Sequence, residues 1–269
     1  MINLYVIYFI ILSFIGYIYE SLAMTIWIGK WDNRGFLFGP VIPIYGAGAL
    51  IGTLLFEYLL PSYTPMQVFF IGMAGSAILE YSVHYSMEKL FHAYWWDYSK
   101  APLNLNGRIC LPATIGFGIA ALIIIYGINP ILLPFLLRMN AVVLQILSLT
   151  MIMVLSADLT LTVSVLSGFE NRVEAMDSFI NEHMDALFGM VLNEDKAINQ
   201  RFYSTMDKFD ESRKRLINDR IEKTISSMDN SYQIVLSKVK GFRGKNSKRL
   251  NYMLKRIKDK FVKAGEKDE

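Results

Sequence analysis

A single cysteine, Cys110, is present among 269 residues, so the chain can build neither an internal disulfide nor a thiolate metal cluster. It also lacks a Gly-x-x-x-x-Gly-Lys-[Ser/Thr] loop, which excludes P-loop binding of ATP phosphates. Charge is scarce at the start: only six of the 27 Lys and Arg residues and seven of the 24 Asp and Glu residues precede Phe169. Between them run apolar stretches of about twenty residues, which a soluble core does not need and a hydrocarbon layer roughly 30 Å thick does. The first three residues, Met1-Ile2-Asn3, have no basic side chain. The opening stretch therefore reads as a retained span and not as a signal cleaved after Ser21-Leu22-Ala23.

The expected fold class is all-α: a polytopic transmembrane helical bundle of about five spans with a C-terminal cytoplasmic helical or coiled-coil extension. The spans fall at about residues 3–27, 37–60, 67–87, 109–128 and 141–167. Residues 129–140, with Pro130 and Pro134, read either as an interfacial turn or as part of a longer, tilted helix. The expected domains are 1–168 in the membrane, 169–240 as cytoplasmic amphipathic helices and 241–269 as a basic terminal segment. Lys30 and Arg34 lie in the first loop, Lys89, Lys100 and Arg108 border the third, and the second has no basic residue. The positive-inside rule then sets the N-terminus outside and the C-terminus in the cytoplasm, which five crossings satisfy.

Charges inside apolar spans cost about 2.5–3.5 kcal/mol each on insertion scales, so they mark a bundle interior or a pathway. Glu20, Glu57 and Glu80 are of this kind. Glu80, His84, Glu88 and His92 recur every four residues and share one helix face. They extend over about 18 Å at 1.5 Å per residue, too far to ligate one ion, so neither a metal nor a cofactor is expected. Two readings stay open for this seam: structural hydrogen bonds and ion pairs, or a substrate or proton pathway. Gly39, Pro40, Pro43, Gly46 and Gly48 interrupt the second span, as a cavity wall or as small residues for close helix packing. The third loop places Asp97, Asn104, Asn106 and Arg108 among aromatic residues, which suggests a folded lid or re-entrant floor. Arg108 has Asp97 or Glu88 as candidate partners, or a phosphate or carboxylate headgroup. The candidate site, for substrate binding or a pathway in the cytoplasmic half, is Glu20, Arg34, Glu80, His84, Glu88, Asp97, Asn104, Asn106 and Arg108.

Three blocks carry a family resemblance: Gly16-Tyr-Ile-Tyr-Glu20, Arg34-Gly-Phe-Leu-Phe-Gly-Pro-Val-Ile-Pro-Ile-Tyr-Gly46, and Glu88 through Ser99 followed by Asn104 through Leu111. Over about residues 1–165 the chain resembles the type IV ABC-transporter permease family of bacterial membrane proteins. The resemblance implies a multi-pass bacterial cell-membrane protein. A permease of this kind would need a separate ATPase subunit, and five spans would need dimerisation to enclose a pathway. A shorter stretch, Trp95-Trp96-x-Tyr98 with Pro102-x-Asn104-x-x-Gly107, resembles an aromatic block in membrane carotenoid hydratases. That likeness implies a rival class, a membrane enzyme using Glu80, Glu88 or Asp97 as acid or base on an isoprenoid or lipid. A third reading is a membrane-anchored scaffold working through its tail.

In the tail, Val173, Met176, Ile180, Leu187 and Val191, then Phe202, Met206 and Phe209, recur at helical spacing. Ile217, Ile221, Ile225, Met228, Tyr232, Val235 and Val239 read as a seam against another helix, so self-association is expected. Eleven basic residues lie between Lys238 and Lys263, with only Asp259 opposing them. Anionic lipid is the expected partner, with Leu250, Met253, Leu254, Ile257 and Phe261 on an apolar face in the interface, or else a solvated basic helix. Nucleic acid is not favoured, because no DNA-binding motif is present.

Overall fold

The computed structural model describes residues 1–29, 34–60, 62–193, 215, 218–228, 230–243 and 247–265. The expectations for Lys30, Phe202, Met206, Phe209 and Ile217 lie outside the described residues, as do those for the side chains of Met176, Ile180, Leu187, Val191 and Phe261. Two compact units are present: Met1–Val163 with Lys238–Lys245, and Ser164–Ser237 with Asn246–Glu269.

The first unit contains α1 (Ile2–Ile28), α2 (Pro43–Leu54) with a π-helical end Leu55–Leu59, and α3 (Pro65–Phe91). After two short strands, β1 (Ala93–Tyr94) and β2 (Asn104–Leu105), and then β3 (Ile109–Cys110), come α4 (Leu111–Leu122), a π stretch Ile123–Ile128 and α5 (Asn129–Leu137). Helix α6 (Ala141–Asn193) begins in this unit and continues into the second. Among the described residues four helices are long and apolar enough to cross a membrane: Ile2–Ile26, Pro65–Phe91, Leu111–Leu137 and Ala141–Ala175. A shorter apolar helix runs over Pro43–Leu59.

Local chemistry explains these limits. Gly29 ends α1 in the left-handed conformation, φ 74°, and its N–H donates to the Thr25 carbonyl. Helix α2 starts at Pro43 and not near residue 37, because a residue preceding proline avoids helical angles and proline suits the first helical turn. Thr64 and Gln67 form a reciprocal capping box at the start of α3, with Pro65 at its first turn. Residues 129–140 resolve into helix through Leu137: the π register just before Pro130 accommodates a ring that excludes the regular bond four residues back.

Helices α1, α2 and α5 share a core of Leu4, Ile7, Tyr8, Leu12, Ala49 and Leu136. A buried polar knot ties the same three helices. The Tyr8 hydroxyl lies 2.8 Å from Thr53 Oγ1 and donates to Asn129 Oδ1 at 2.8 Å, while Asn129 Nδ2 donates to Thr53 at 2.9 Å. Gly46 lets α1 and α2 approach, since a Cβ there would stand 2.1 Å from Ser13 Oγ. The small-residue reading of the second span therefore holds at Gly46.

A late segment belongs to this unit. Strand β4 (Gly241–Phe242) pairs antiparallel with β1, Ala93 opposite Phe242 and Tyr94 opposite Gly241. In the second unit, the buried residues include Phe169, Val173, Ile221, Ile225, Met228, Val235 and Leu236. Its helices include α7 (Asn230–Lys238), whose last residue joins the first unit, and α8 (Ser247–Gly265). Leu250, Met253, Leu254 and Ile257 are buried in the protein. The apolar face expected to rest in a headgroup layer is thus covered by the chain itself, as are Ile221, Ile225, Met228, Val235 and Val239 of the expected seam.

Candidate functional site

The nine residues singled out from sequence separate into three groups. Glu20, Arg34 and Glu80 line one cavity of about 290 Å³, together with Tyr45, Trp95, Tyr98 and Lys238. Helix α1 supplies Glu20, α3 supplies Glu80, and the bent segment before α2 supplies Arg34. Glu80 is 5% exposed; its Oε1 accepts from the Tyr98 hydroxyl at 3.0 Å, and its buried Oε2 has no hydrogen-bond partner among the described residues. Tyr45 and Glu20 line the same cavity. Burial, then the nearby Glu80 charge, raises the pKa of Tyr98 above its ordinary value, so this phenol stays a proton donor. The Trp95 indole Nε1, 6% exposed as a residue, is a second buried polar atom with no partner among the described residues.

One turn further along α3, Glu88 forms ion pairs with Arg108 and Arg243, and His84 stands beside it. Glu88 Oε2 accepts from Arg108 at 3.1 Å and from Arg243 at 3.3 Å, and His84 Nδ1 stands 3.6 Å from the same oxygen. His84 Nε2 lies 3.2 Å from the Trp96 carbonyl. The Arg108 guanidinium also donates to the Tyr81 hydroxyl at 2.8 Å and lies over the Tyr81 and Tyr85 rings. Of the two carboxylates considered for Arg108, the structure places Glu88 beside it. His92 ends the face as the left-handed cap of α3, φ 49°.

Asp97, Asn104 and Asn106 fold the loop. Asp97 Oδ1 accepts from the Ser99 N–H at 3.0 Å, and Asn104 donates to the Ala101 carbonyl at 2.8 Å while accepting from the Gly107 N–H at 3.1 Å. Asn106 takes φ 55° and donates to Tyr81 at 3.2 Å. Gly107, φ 68°, is required, because a Cβ there would stand 2.9 Å from Asp97 Oδ1. Burial acts to raise the Asp97 pKa, but Ser99 and the charge of Arg243 outweigh it and hold the carboxyl below its ordinary value. Asp97 is therefore ionised at neutral pH, a state that does not suit a general acid.

Two residues not found from the sequence hold the broken segment before α2. Asp158 of α6 accepts the Phe38 and Gly39 N–H groups, each at 2.8 Å, one on each carboxylate oxygen. Lys238 donates to the Leu37 carbonyl and, at 3.4 Å, to that of Phe38. Non-helical backbone leaves its N–H and C=O groups without helical partners, and these two side chains supply partners for residues 37–39. Asp158 was legible as the one charge among residues 141–167. Lys238 had no sequence signal, being one basic residue among many in the tail.

A second cavity, about 160 Å³ and almost wholly apolar, is lined by Gly48, Gly52, Phe56, Gly72, Gly75 and Ile124 among others. It shares Ile44, Tyr45, Glu80 and Phe117 with the polar cavity. The glycines of the second span thus serve both purposes considered for them, packing at Gly46 and cavity lining at Gly48 and Gly52. Among the described residues no cluster of His, Cys, Asp and Glu could hold a metal ion.

Comparison with curated proteins and with solved structures finds no match. A family match does cover residues 7–163, ending where the first stretch of the membrane unit ends. With its membrane-capable helices, this chain is a membrane protein and belongs to the family described as "Putative ABC-transporter type IV".

Proposed function

We propose that the chain is a permease-like subunit that takes a solute or lipid into the cavity formed by Glu20, Arg34 and Glu80, in the cytoplasmic half of the bundle. The observation that carries this reading is Glu80: the residue lines the cavity, and one of its carboxylate oxygens is buried and meets no donor among the described residues. Burying such a group costs free energy unless a ligand, water or proton satisfies it. A purely structural seam, as at Glu88, saturates its oxygen instead.

The topology in this reading has five crossings, with Pro43–Leu59 as a short second span, the N-terminus outside, and the C-terminus cytoplasmic in a bacterial cell membrane. The basic residues of the first and third loops support it. Energy would come from a separate ATPase subunit, since this chain has no phosphate-binding loop. A second copy would complete the pathway, and the basic residues of α8 would meet anionic headgroups from the cytoplasmic side.

The test is ATP-dependent transport or ATPase stimulation in proteoliposomes holding the chain with its nucleotide-binding partner. Glu80→Gln is expected to lower the stimulated rate at least tenfold while leaving folding and membrane insertion intact. An unchanged rate in that variant would remove the cavity from the pathway.

A further inference from the structure

Resting on the reading of the polar cavity as the substrate site, we infer that Lys238–Arg243 is a releasable clasp: docked, it holds together two segments that line this cavity, and its release opens the cavity to water.

The two segments come from distant parts of the chain. Arg34, Gly35 and Phe36 line the cavity from the bent stretch before α2, and Trp95, Trp96 and Tyr98 line it from the loop that begins with β1. They meet at Phe36 and Trp95, whose ring centroids lie 5.1 Å apart. The clasp belongs to the same unit and reaches both segments. At one end the Lys238 ammonium donates to the Leu37 and Phe38 carbonyls, directly after Phe36. Further on, the Lys240 N–H donates to the Tyr94 carbonyl at 2.8 Å and the Arg243 N–H to the His92 carbonyl at 2.7 Å, so that β4 grips β1 just before Trp95. Val239 and Phe242 are buried, which favours the docked state. Gly241 is needed for the fit, because a Cβ there would stand 2.5 Å from the Tyr94 hydroxyl and 2.8 Å from its ring.

These contacts can part while each segment keeps support of its own. The β1–β4 ladder is only two residues long. Arg243, with a side chain 35% exposed, shares Glu88 Oε2 with Arg108, so the carboxylate retains Arg108 at 3.1 Å when Arg243 leaves. Asp158 likewise holds the Phe38 and Gly39 N–H groups whether or not Lys238 is docked. Just before β1, His92 takes the left-handed conformation, φ 49°, which surrounding contacts must maintain in a residue with a side chain. Arg243 supplies one of them at the His92 carbonyl, and its loss frees the loop to turn there. The clasp also joins α7 to α8 in the chain, so a load on either helix reaches it through covalent backbone.

The test uses the full-length protein with Cys110→Ala, Trp27→Phe and Trp31→Phe, which leaves Trp95 and Trp96 as the only tryptophans. Ala93→Cys and Phe242→Cys are added at positions directly opposite in the ladder, a separation that a disulfide spans. Acrylamide quenching of the tryptophan fluorescence in detergent micelles reads the access of water-borne solutes to the cavity. The reduced pair lacks the buried Phe242 ring, so quenching is expected to rise about threefold over the parent protein through local opening, and oxidation should return it to the parent level. Gly241→Val, which keeps Phe242 and blocks docking, should match the reduced pair, with helical circular dichroism unchanged in both. In proteoliposomes holding the chain with its nucleotide-binding partner, ATPase stimulation should stop in the oxidised pair and return on reduction. Failure of the pair to cross-link, or equal quenching in its oxidised and reduced forms, overturns the clasp whatever Glu80→Gln does to the rate. If quenching follows the redox state while neither the cross-link nor Glu80→Gln alters the rate, the clasp stands and the substrate reading of the cavity falls.

Discussion

Asp158 accepts two backbone N–H groups from a segment that makes no helix, one with each oxygen. Removing it leaves both donors without a partner, and each buried orphan costs about 1–3 kcal/mol. Asp158→Ala is therefore expected to lower stability by a few kcal/mol, whereas Asp158→Asn keeps one acceptor and should cost less. Thermal unfolding in detergent reads the difference, and equal losses would show that charge and not backbone capping matters there. Lys238 completes the same bracket from the carbonyl side. Burial pushes its pKa from 10.5 down to about 8, against the opposing pull of Asp158. Because the released lysine binds its proton more tightly than the docked one, docking strengthens as pH rises from about 8 to 10.5 and is flat below about 8. Hydrogen exchange at Gly241 and Phe242, corrected for intrinsic rate, should show rising protection over that window, and Lys238→Met should abolish the rise.

At the scale of elements, α1, α2 and α5 are held by a buried hydrogen-bonded knot where lipid offers no hydrophobic force between helices. Thr53 both meets the Tyr8 hydroxyl and accepts from Asn129, so Thr53→Val disturbs two contacts at once. Interhelical bonds of this kind average about 0.6 kcal/mol and reach about 1.7. A loss of about 1–2 kcal/mol is expected, measured by unfolding in mixed micelles. Gly46→Leu should be far worse, since Ser13 and the Phe9 carbonyl stand within 2.1–2.3 Å of the new Cβ, and the two backbones would have to part. Gly52→Leu on the same helix is the matched control and should be tolerated.

Across the whole molecule, orientation can be read from labelling. With Cys110 replaced, Ser62→Cys is expected to react with an impermeant maleimide in intact cells and Lys100→Cys only after permeabilisation; the reverse pattern would invert the topology. The tail cannot be treated as a detachable module, because Lys238–Lys245 is part of the membrane unit. Deleting everything after Val163 removes β4, Arg243 and Lys238 together, the last of these a lining residue of the polar cavity. Loss of activity in such a truncation would not by itself show that the tail is the working part.

The membrane character and helical class were legible in sequence because a bilayer imposes long apolar runs with internally satisfied backbone, a demand that depends on composition alone. The intramembrane charges Glu20 and Glu80 were legible for the same reason. Helical spacing placed Glu80, His84 and Glu88 on one face, but it could not tell a saturated carboxylate from an unsatisfied one. Only the tertiary structure made that division, by bringing Arg108 and Arg243 to Glu88 and leaving Glu80 Oε2 buried with no donor among the described residues. It also set the contacts of Asp97, Asn104 and Asn106, which bond to the loop backbone and to Tyr81 in ways that residue type does not predict. Lys238 is the limiting case. Its place depends on a pairing of β4 with β1 between residues far apart in the chain, and such pairings are set by packing, not by local pattern.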